Sequence, residues 1–458
     1  MNRLLKITFL FLLSSYSIIN AQECLISNVE KGSYKGVYEI EDIGYAVHYK
    51  EKKGEWILQI RDKQLKKIAK TTLSPKVKGI GDYTCFSNGQ SFIVLVSRGA
   101  KNHHVLAYDY SGKLLKRMNI EENISAIVPA KDKGFYVMVK KSPKKEPRIF
   151  FWDNKLKKQW DVKTPCGTGS ASLSASKEKS GGIGTLMPAL PGTFSCDASE
   201  DALIWGFADV SSSMSRKAKT VDVAGISIDG KILFHNSYSP EDRVYGAWIH
   251  KDNVYLLGST SSKKKNTKGE TWFKKLSMSG EVLETEDLSK EDYEKFNKKG
   301  SSNCFGSFSI DEFKETPKGF ILVGSTLNHF RLWTFNKDMR FEKIITLKKR
   351  NQMSLSSFNS RTLVYLPMLK NYKFILPSNN EEDLQFVYST RIDGTPETLL
   401  ISTKDGKWRF IDDLEKHIKK EDVNKRWIDF LPADEGKGVL VLNKSKEKQI
   451  KMITVDLE

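Results

Sequence analysis

Cysteine is scarce in this chain, five residues in 458, at positions 24, 85, 166, 196 and 304. That is too few for a cross-linked scaffold, and the odd number leaves at least one thiol unpaired. Histidine is nearly as rare, with seven residues. Only His103 and His104 are close in sequence, and neighbours on a strand point to opposite faces. They read as part of an exposed hairpin loop rather than as zinc ligands. The Gly-x-Ser-x-Gly turn of the commonest esterases is absent, as is a glycine-rich phosphate loop. Calcium loops need clustered oxygens and a glycine for the bend; Asn379-Asn380-Glu381-Glu382-Asp383 has the oxygens without the glycine and reads as a solvated hairpin tip. No catalytic, metal or cofactor-binding residue is expected from these patterns. Paired carboxylates for glycoside cleavage stay open, because their separation belongs to the fold.

A membrane-crossing helix needs about 20 apolar residues. The apolar run at the start, Ile7 to Leu13, is far shorter and is interrupted by Thr8. Arg3 and Lys6 precede it, Ser14, Ser15 and Ser17 follow, and Ala21 supplies a small residue, which is the pattern of an export signal. Cleavage is expected after Ala21, giving a signal peptide over 1–21 and one domain over 22–458. Ala21-Gln22-Glu23 lacks the small residue that lipoprotein processing needs before Cys24, so the expected product is soluble and secreted, periplasmic or extracellular. The ending Asn20-Ala21-Gln22 resembles signal peptides common among secreted proteins of the Bacteroidota.

The chain carries a net charge of +18, and loss of Arg3 and Lys6 with the signal leaves +16. Most of the positive charge is lysine, a hydrated point charge, rather than the planar fork of arginine. The excess serves solubility first and loose attraction of polyanions second.

One unit recurs along the chain. A Gly or polar turn leads into a short apolar strand, a polar loop, a second apolar strand, and a tight turn with Asp, Asn, Ser or Gly. Tyr45 to Tyr49 pairs with Trp56 to Ile60, and Phe92 to Val96 with Val105 to Tyr108. Phe135 to Val139 pairs with Ile149 to Trp152, Leu203 to Phe207 with Val223 to Ile228, and Val254 to Leu257 with Thr271 to Leu276. Then come Phe320 to Val323 with Arg331 to Phe335, Phe374 to Leu376 with Leu384 to Ile392, and Val439 to Leu442 with Ile450 to Val455. Short strands at this period argue for an all-β fold, a β-propeller of seven or eight four-stranded blades. Tandem β-sandwiches are the alternative. The two strong strands of each copy read as the second and third of a blade. The last copy lacks a fourth strand, and Gly36 to Ile40 is expected to pair there and close the ring. Blade-like repeats and the signal ending together resemble secreted β-propeller proteins of the Bacteroidota.

Two insertions interrupt the repeat. Residues 164–192 are rich in Ser and Gly and read as a disordered loop or a lid, and Cys166 and Cys196 flank them. That pair is the expected bridge if one forms, with buried thiols the equal alternative. Residues 409–426 carry Phe410, Ile411, Leu414 and Ile418 at helical spacing and predict one amphipathic helix on the rim. Ser289 to Phe296 predicts a shorter helix, since Ser289 and Asp292 have capping-box spacing.

Thr403-Lys404-Asp405-Gly406-Lys407-Trp408 resembles the turn repeated in sialidase propellers, where Ser or Thr, Asp, Gly and Trp recur in order. It occurs once, is a residue short, and lacks the companion Arg-Ile-Pro segment, so a β-turn is the better reading. The loops between second and third strands are mostly basic. Lys140, Lys141, Lys144 and Lys145 occupy one, and Lys263, Lys264, Lys265 and Lys268 another. Lys50, Lys52 and Lys53; Arg98 and Lys101; Arg216, Lys217 and Lys219; and Lys444, Lys446 and Lys448 occupy four more, and two loops break the trend. All emerge on one face, a candidate polyanion site, although lysines at hairpin tips also keep proteins soluble. Tryptophans fall inside strands rather than beside the lysines, which disfavours single-stranded nucleic acid. The expectation is a monomeric, non-enzymatic scaffold for a protein or an anionic glycan. The alternative is a carbohydrate-active hydrolase or lyase with acids at the propeller centre.

Overall fold

Short apolar runs closed by Gly, Asn and Asp are strand-and-turn signals, and in the computed structural model the described residues pair into six four-stranded antiparallel sheets and one seven-stranded sheet in which two blades share a strand. The structure describes residues 26–40, 43–51, 55–73, 82–87, 91–97, 103–122, 124–139, 146–167, 192–212, 215–239, 242–260, 270–288, 309–316, 319–325, 329–348, 372–375, 385–392, 395–402, 408–410, 429–432, 437–444 and 449–456.

Blade 2 is Asp82–Ser87, Phe92–Ser97, His103–Tyr108 and Leu114–Ile120; blade 3 is Ile124–Pro129, Gly134–Val139, Arg148–Asp153 and Lys158–Lys163. Blade 4 is Gly192–Ala198, Ala202–Ser212, Ser215–Ser227 and Ile232–Tyr238; blade 5 is Asp242–His250, Asn253–Thr260, Glu270–Ser277 and Val282–Leu288. Blade 6 is Ser309–Thr316, Gly319–Ser325, His329–Asn336 and Phe341–Lys348; blade 7 is Tyr372–Ile375, Gln385–Ile392, Thr395–Ser402 and Trp408–Phe410. These are the blades of a β-propeller.

Blades 1 and 8 share a strand. Ile26–Ile40 pairs through Ile26 to Lys31 with Gln449–Asp456, the third strand of blade 8, where Ile26 faces Ile453 and Lys31 faces Gln449. Through Gly32 to Ile40 it pairs with Gly44–Glu51 and so becomes the first strand of blade 1, which continues into Trp56–Asp62 and Lys67–Thr72. Asp429–Pro432 and Lys437–Lys444 complete blade 8. The closing segment is therefore Ile26 to Lys31, upstream of the Gly36 to Ile40 expected from sequence, which instead opens blade 1. Outer strands are polar because one edge faces solvent, and this one, with only Ile26 and Val29 apolar among six residues, carries little apolar signal.

Blade 7 is also shifted by one strand from the sequence reading. Tyr372–Ile375 is its first strand and Gln385–Ile392 its second, so Asp393-Gly394 joins second to third. Residues 403–407, the sialidase-like turn, join third to fourth. Arg409 and Phe410 lie in that fourth strand; the rest of the expected helix, the shorter one at Ser289 to Phe296, and residues 1–25 and 168–191 lie outside the described residues.

Cores lie between blades. Leu95 and Phe150 belong to one buried cluster across blades 2 and 3, Leu203 and Tyr136 to another across 4 and 3, and Val223 and Leu256 to another across 4 and 5, while Phe273 stacks on Phe335 across 5 and 6. Val47 and Val441 share a cluster across the closure, and Ile60 and Leu106 share one across blades 1 and 2. In blades 1 to 4 the described second and third strands are largely buried on both faces, as in Gly134–Val139 and His103–Tyr108, which is why they read as near-continuous apolar runs.

The turn from third to fourth strand recurs in six blades with one geometry. Its first residue, Asp62, Asp109, Asp153, Ser227, Ser277 or Asn336, accepts on its side-chain oxygen the backbone N–H four residues on, at 2.8 to 3.2 Å. The fourth residue takes positive φ: Gly112, Gly230 and Gly280 at 81–83°, but Leu65, Met339 and Leu156 at 62°, 66° and 54°. Glycine is the usual occupant of this region. The three exceptions bury their side chains in the core against the preceding blade. Where glycine stands, the preceding blade's fourth strand fills the space: a Cβ on Gly230 would lie 2.9 Å from the Trp160 ring. Trp160 Nε1 donates to Ile228 O at 2.6 Å, Asn236 Nδ2 to Gly280 O at 2.8 Å, and Lys116 Nζ to Lys155 O at 2.9 Å. Each of these fourth strands thus holds the next blade's turn.

Cys166 and Cys196 are free, buried thiols in one core cluster rather than a bridge. Burial pushes both thiol pKa values up to about 12, with nearby Asp222 and Asp197 adding to the rise.

A chain beginning at Gly32 is expected to melt at a lower temperature than one beginning at Gln22, or not to fold; equal midpoints in a thermal scan would contradict closure by Ile26 to Lys31. Leu156→Ala should cost about 2–5 kcal/mol for the emptied core site, whereas Leu156→Gly recovers about 1 kcal/mol of left-handed backbone strain. Urea denaturation should therefore rank glycine no worse than alanine, the reverse of the order inside a regular strand. Iodoacetamide at pH 8 should leave Cys166 and Cys196 unmodified in the native protein and alkylate both on unfolding, read by peptide mass mapping.

Candidate functional site

In an antiparallel blade the second strand ends where the third begins, and the fourth ends at that same end of the sheet. All connections from second to third strand, and all crossovers from fourth strand to the next blade, therefore leave from one face. The expected polyanion residues belong to it by position. Lys140, Lys141, Lys144 and Lys145 join Gly134–Val139 to Arg148–Asp153, and Lys263, Lys264, Lys265 and Lys268 join Asn253–Thr260 to Glu270–Ser277; all eight lie outside the described residues.

Ring closure adds what sequence order hides. The six basic groups lie in or beside the connections of blades 8, 1, 2, 3, 4 and 5, which are consecutive around the ring. Blades 6 and 7, whose connections are Thr326-Leu327-Asn328 and Asp393-Gly394, form one gap. In blade 4 the pairing runs on to Ser212 opposite Ser215, so Arg216, Lys217 and Lys219 stand on the third strand rather than in a loop.

Where side chains on this face are described, cations meet acids or rings. Lys50 is exposed with its ammonium 5.9 Å from the Trp56 ring, which stacks on His48 at 5.0 Å. Lys70 pairs with Glu51 at 2.8 Å. Arg148 spans Glu122 and Asp161 at 3.2 and 3.0 Å, and Lys163 pairs with Glu146 at 2.7 Å. Lys274 lies 4.4 Å from the Trp272 ring, which Tyr238 stacks against. Lys70, Arg148 and Lys163 are balanced by the acids they pair with, whereas Lys50 and Lys274 meet rings and add to the positive charge of the connections.

At the centre, Asp197 on the first strand of blade 4 is buried and accepts the Ile249 N–H of blade 5 at 2.9 Å. That bond ties two inner strands together. Asp82, Asp242 and Asp429 occupy the first position of the inner strands of blades 2, 5 and 8, at the same end as the basic connections.

His103 and His104 are not in a loop. They begin the third strand of blade 2, paired with Ser97 and Val96, and both are buried. Nδ1 of His104 sits 2.6 Å from Asn119 Oδ1. Among the described residues no group of three or more His, Cys, Asp or Glu side chains is placed to hold a metal ion, and no helix is long and apolar enough to cross a membrane.

No family model matches the chain, and no curated protein matches it. Among solved structures, prolyl endopeptidases studied for inter-domain dynamics align with a TM-score of 0.47 at 12% identity, over 90% of this chain and 55% of theirs. The WD40 domain of SCAP from fission yeast aligns with a TM-score of 0.45 at 10% identity, over 94% of each chain. A protein from Lactobacillus plantarum aligns at 0.41 and 9%, over 83% of this chain and 93% of that one. The chain spans about half the length of the first of these. Likenesses this distant say nothing of ligand or reaction, and the propeller rests on the strand order and register of the chain itself.

Proposed function

We propose that the chain is a secreted, non-enzymatic binding scaffold that presents one face of its propeller to an anionic glycan or to a protein. The observation that carries this reading is the arc of basic residues in or beside the second-to-third connections of blades 8 and 1 to 5, with one gap at blades 6 and 7. A curved run of like charge focuses field over its length and raises the local concentration of a flexible polyanion. Lysine suits this loose attraction better than bidentate recognition of one anion. The chain acts as a soluble monomer, released by cleavage after Ala21, just ahead of the closing strand that begins at Ile26.

A second reading has one observation in its favour. Asp82, Asp242 and Asp429 stand at the heads of three inner strands, and acids at the propeller centre are what a carbohydrate-active hydrolase or lyase would use. On that reading, Asp242→Asn abolishes release of sugar ends from a polysaccharide panel.

The binding reading is tested with purified residues 22–458 on an array of sulfated and phosphorylated glycans at low and high salt. Retention is expected to fall steeply with salt, because binding releases counterions. Neutralising Lys263, Lys264 and Lys265 to Gln should reduce the salt slope, and adding Lys140→Gln, Lys141→Gln, Lys144→Gln and Lys145→Gln should reduce it further. Absence of binding at every salt concentration would leave the lysines as solubility residues.

A further inference from the structure

Among the described residues six large apolar side chains are exposed: Ile68, Leu114, Leu115, Ile232, Val282 and Leu283. A single exposed leucine is ordinary. Here all six share one place in the fold, since each is the first or second residue of a fourth strand. Fourth strands begin at the end of the blade away from the second-to-third connections, so these residues stand at the outer rim of the face opposite the basic one.

A recurring irregularity sets them there. In six blades the fourth strand carries a β-bulge directly after its turn, and the residue that the ladder skips is Ile68, Leu115, Gln159, Leu233, Leu283 or Glu342. A bulge re-aims a side chain. Ile68, Leu115 and Leu283 are 50%, 55% and 53% exposed, Leu233 is half-buried, and the other two are polar. Equivalent positions in a propeller lie on a circle about its axis and so in one plane, and in an eight-bladed ring blade 5 stands across the axis from blade 1. Ile68 and Leu283 therefore lie on opposite sides of one rim, and a partner that meets both must be broad and flat. Charge follows the same rim. In those six blades the two positions ahead of the bulge carry seven cations, among them Lys66, Lys67 and Lys113, against one acid, Glu281.

We infer that this rim docks the propeller on an anionic lipid surface. A bilayer is flat over the width of the ring, and its interface takes aliphatic side chains at the acyl boundary while headgroup phosphates meet the lysines. Three aliphatic tips hold about as many carbons as one myristoyl chain, which alone binds reversibly; the lysines supply the second attraction that firmer attachment needs. The protein stays soluble, and its docking weakens with salt. The rim shares no residue with the basic connections, and docking through it turns that face away from the bilayer.

The test is co-sedimentation of residues 22–458 with vesicles of equimolar phosphatidylcholine and phosphatidylglycerol, with pure phosphatidylcholine as the control. Binding is expected to the anionic vesicles above all, and should fall as salt rises. The triple variant Ile68→Ser, Leu115→Ser and Leu283→Ser should weaken it at least about tenfold and keep the thermal midpoint, since all three side chains are exposed. Lys66→Gln, Lys67→Gln and Lys113→Gln together should weaken it comparably. Neutralising Lys263, Lys264 and Lys265 should leave it unchanged. Absence of binding would overturn the assignment and leave the rim to a protein partner. Full binding in both rim variants, with loss on neutralising Lys263, Lys264 and Lys265, would overturn it by moving the lipid contact to the basic face.

Discussion

Where their side chains are described, the two middle strands of blades 1 to 4 are apolar on both faces, so such a sheet is not stable without a sheet on either side. This demand for two neighbours governs the architecture. Stability in such repeats approximates a sum of unit and interface terms, and each buried leucine or phenylalanine adds about 1.5–3 kcal/mol to its interface. The recurring turn is where interfaces are locked, since the fourth strand of one blade bonds the turn of the next through Lys116, Trp160 and Asn236. Two solutions fill the same space. Either glycine stands at the left-handed position and a neighbour's ring moves in, as Trp160 does at Gly230, or a leucine or methionine stands there and supplies the bulk itself.

The fold was legible wherever both middle strands are strongly apolar, and for seven blades the expected pairs are the observed second and third strands. Blade 7 misleads for a physical reason. Asp393-Gly394 has the chemistry of a third-to-fourth turn but closes the hairpin between second and third, and its inner strand Tyr372–Ile375 is apolar enough to pass for a second strand. The closing segment was hidden because outer strands face water along one edge and lose their apolar pattern. Leu65, Leu156 and Met339 were illegible as turn residues because the expectation there is glycine.

Site information was carried unevenly. The lysines of the connections are plain in the sequence, but their arrangement as one arc depends on knowing that blade 8 adjoins blade 1. His103 and His104 show the converse, a pair that looks exposed by composition and is buried by strand pairing.

The shared strand Ile26–Ile40 sets an order of events in the cell. Its first half is the earliest of the described strands to be synthesised, yet its partner Gln449–Asp456 is the latest of them. Closing a loop over the whole chain rather than one blade adds only about 2 kcal/mol of entropy, so the cost at equilibrium is small. The delay is not. At about 5–20 residues per second, roughly 20–80 s of synthesis separate the two, and through that interval the nascent protein carries an open edge at each end. A chain exported after synthesis meets the same problem in reverse, since it must be held unlatched until it has crossed. Folding of this ring is therefore completed by a single late docking step, and whatever shields the two edges until then acts as part of its biogenesis.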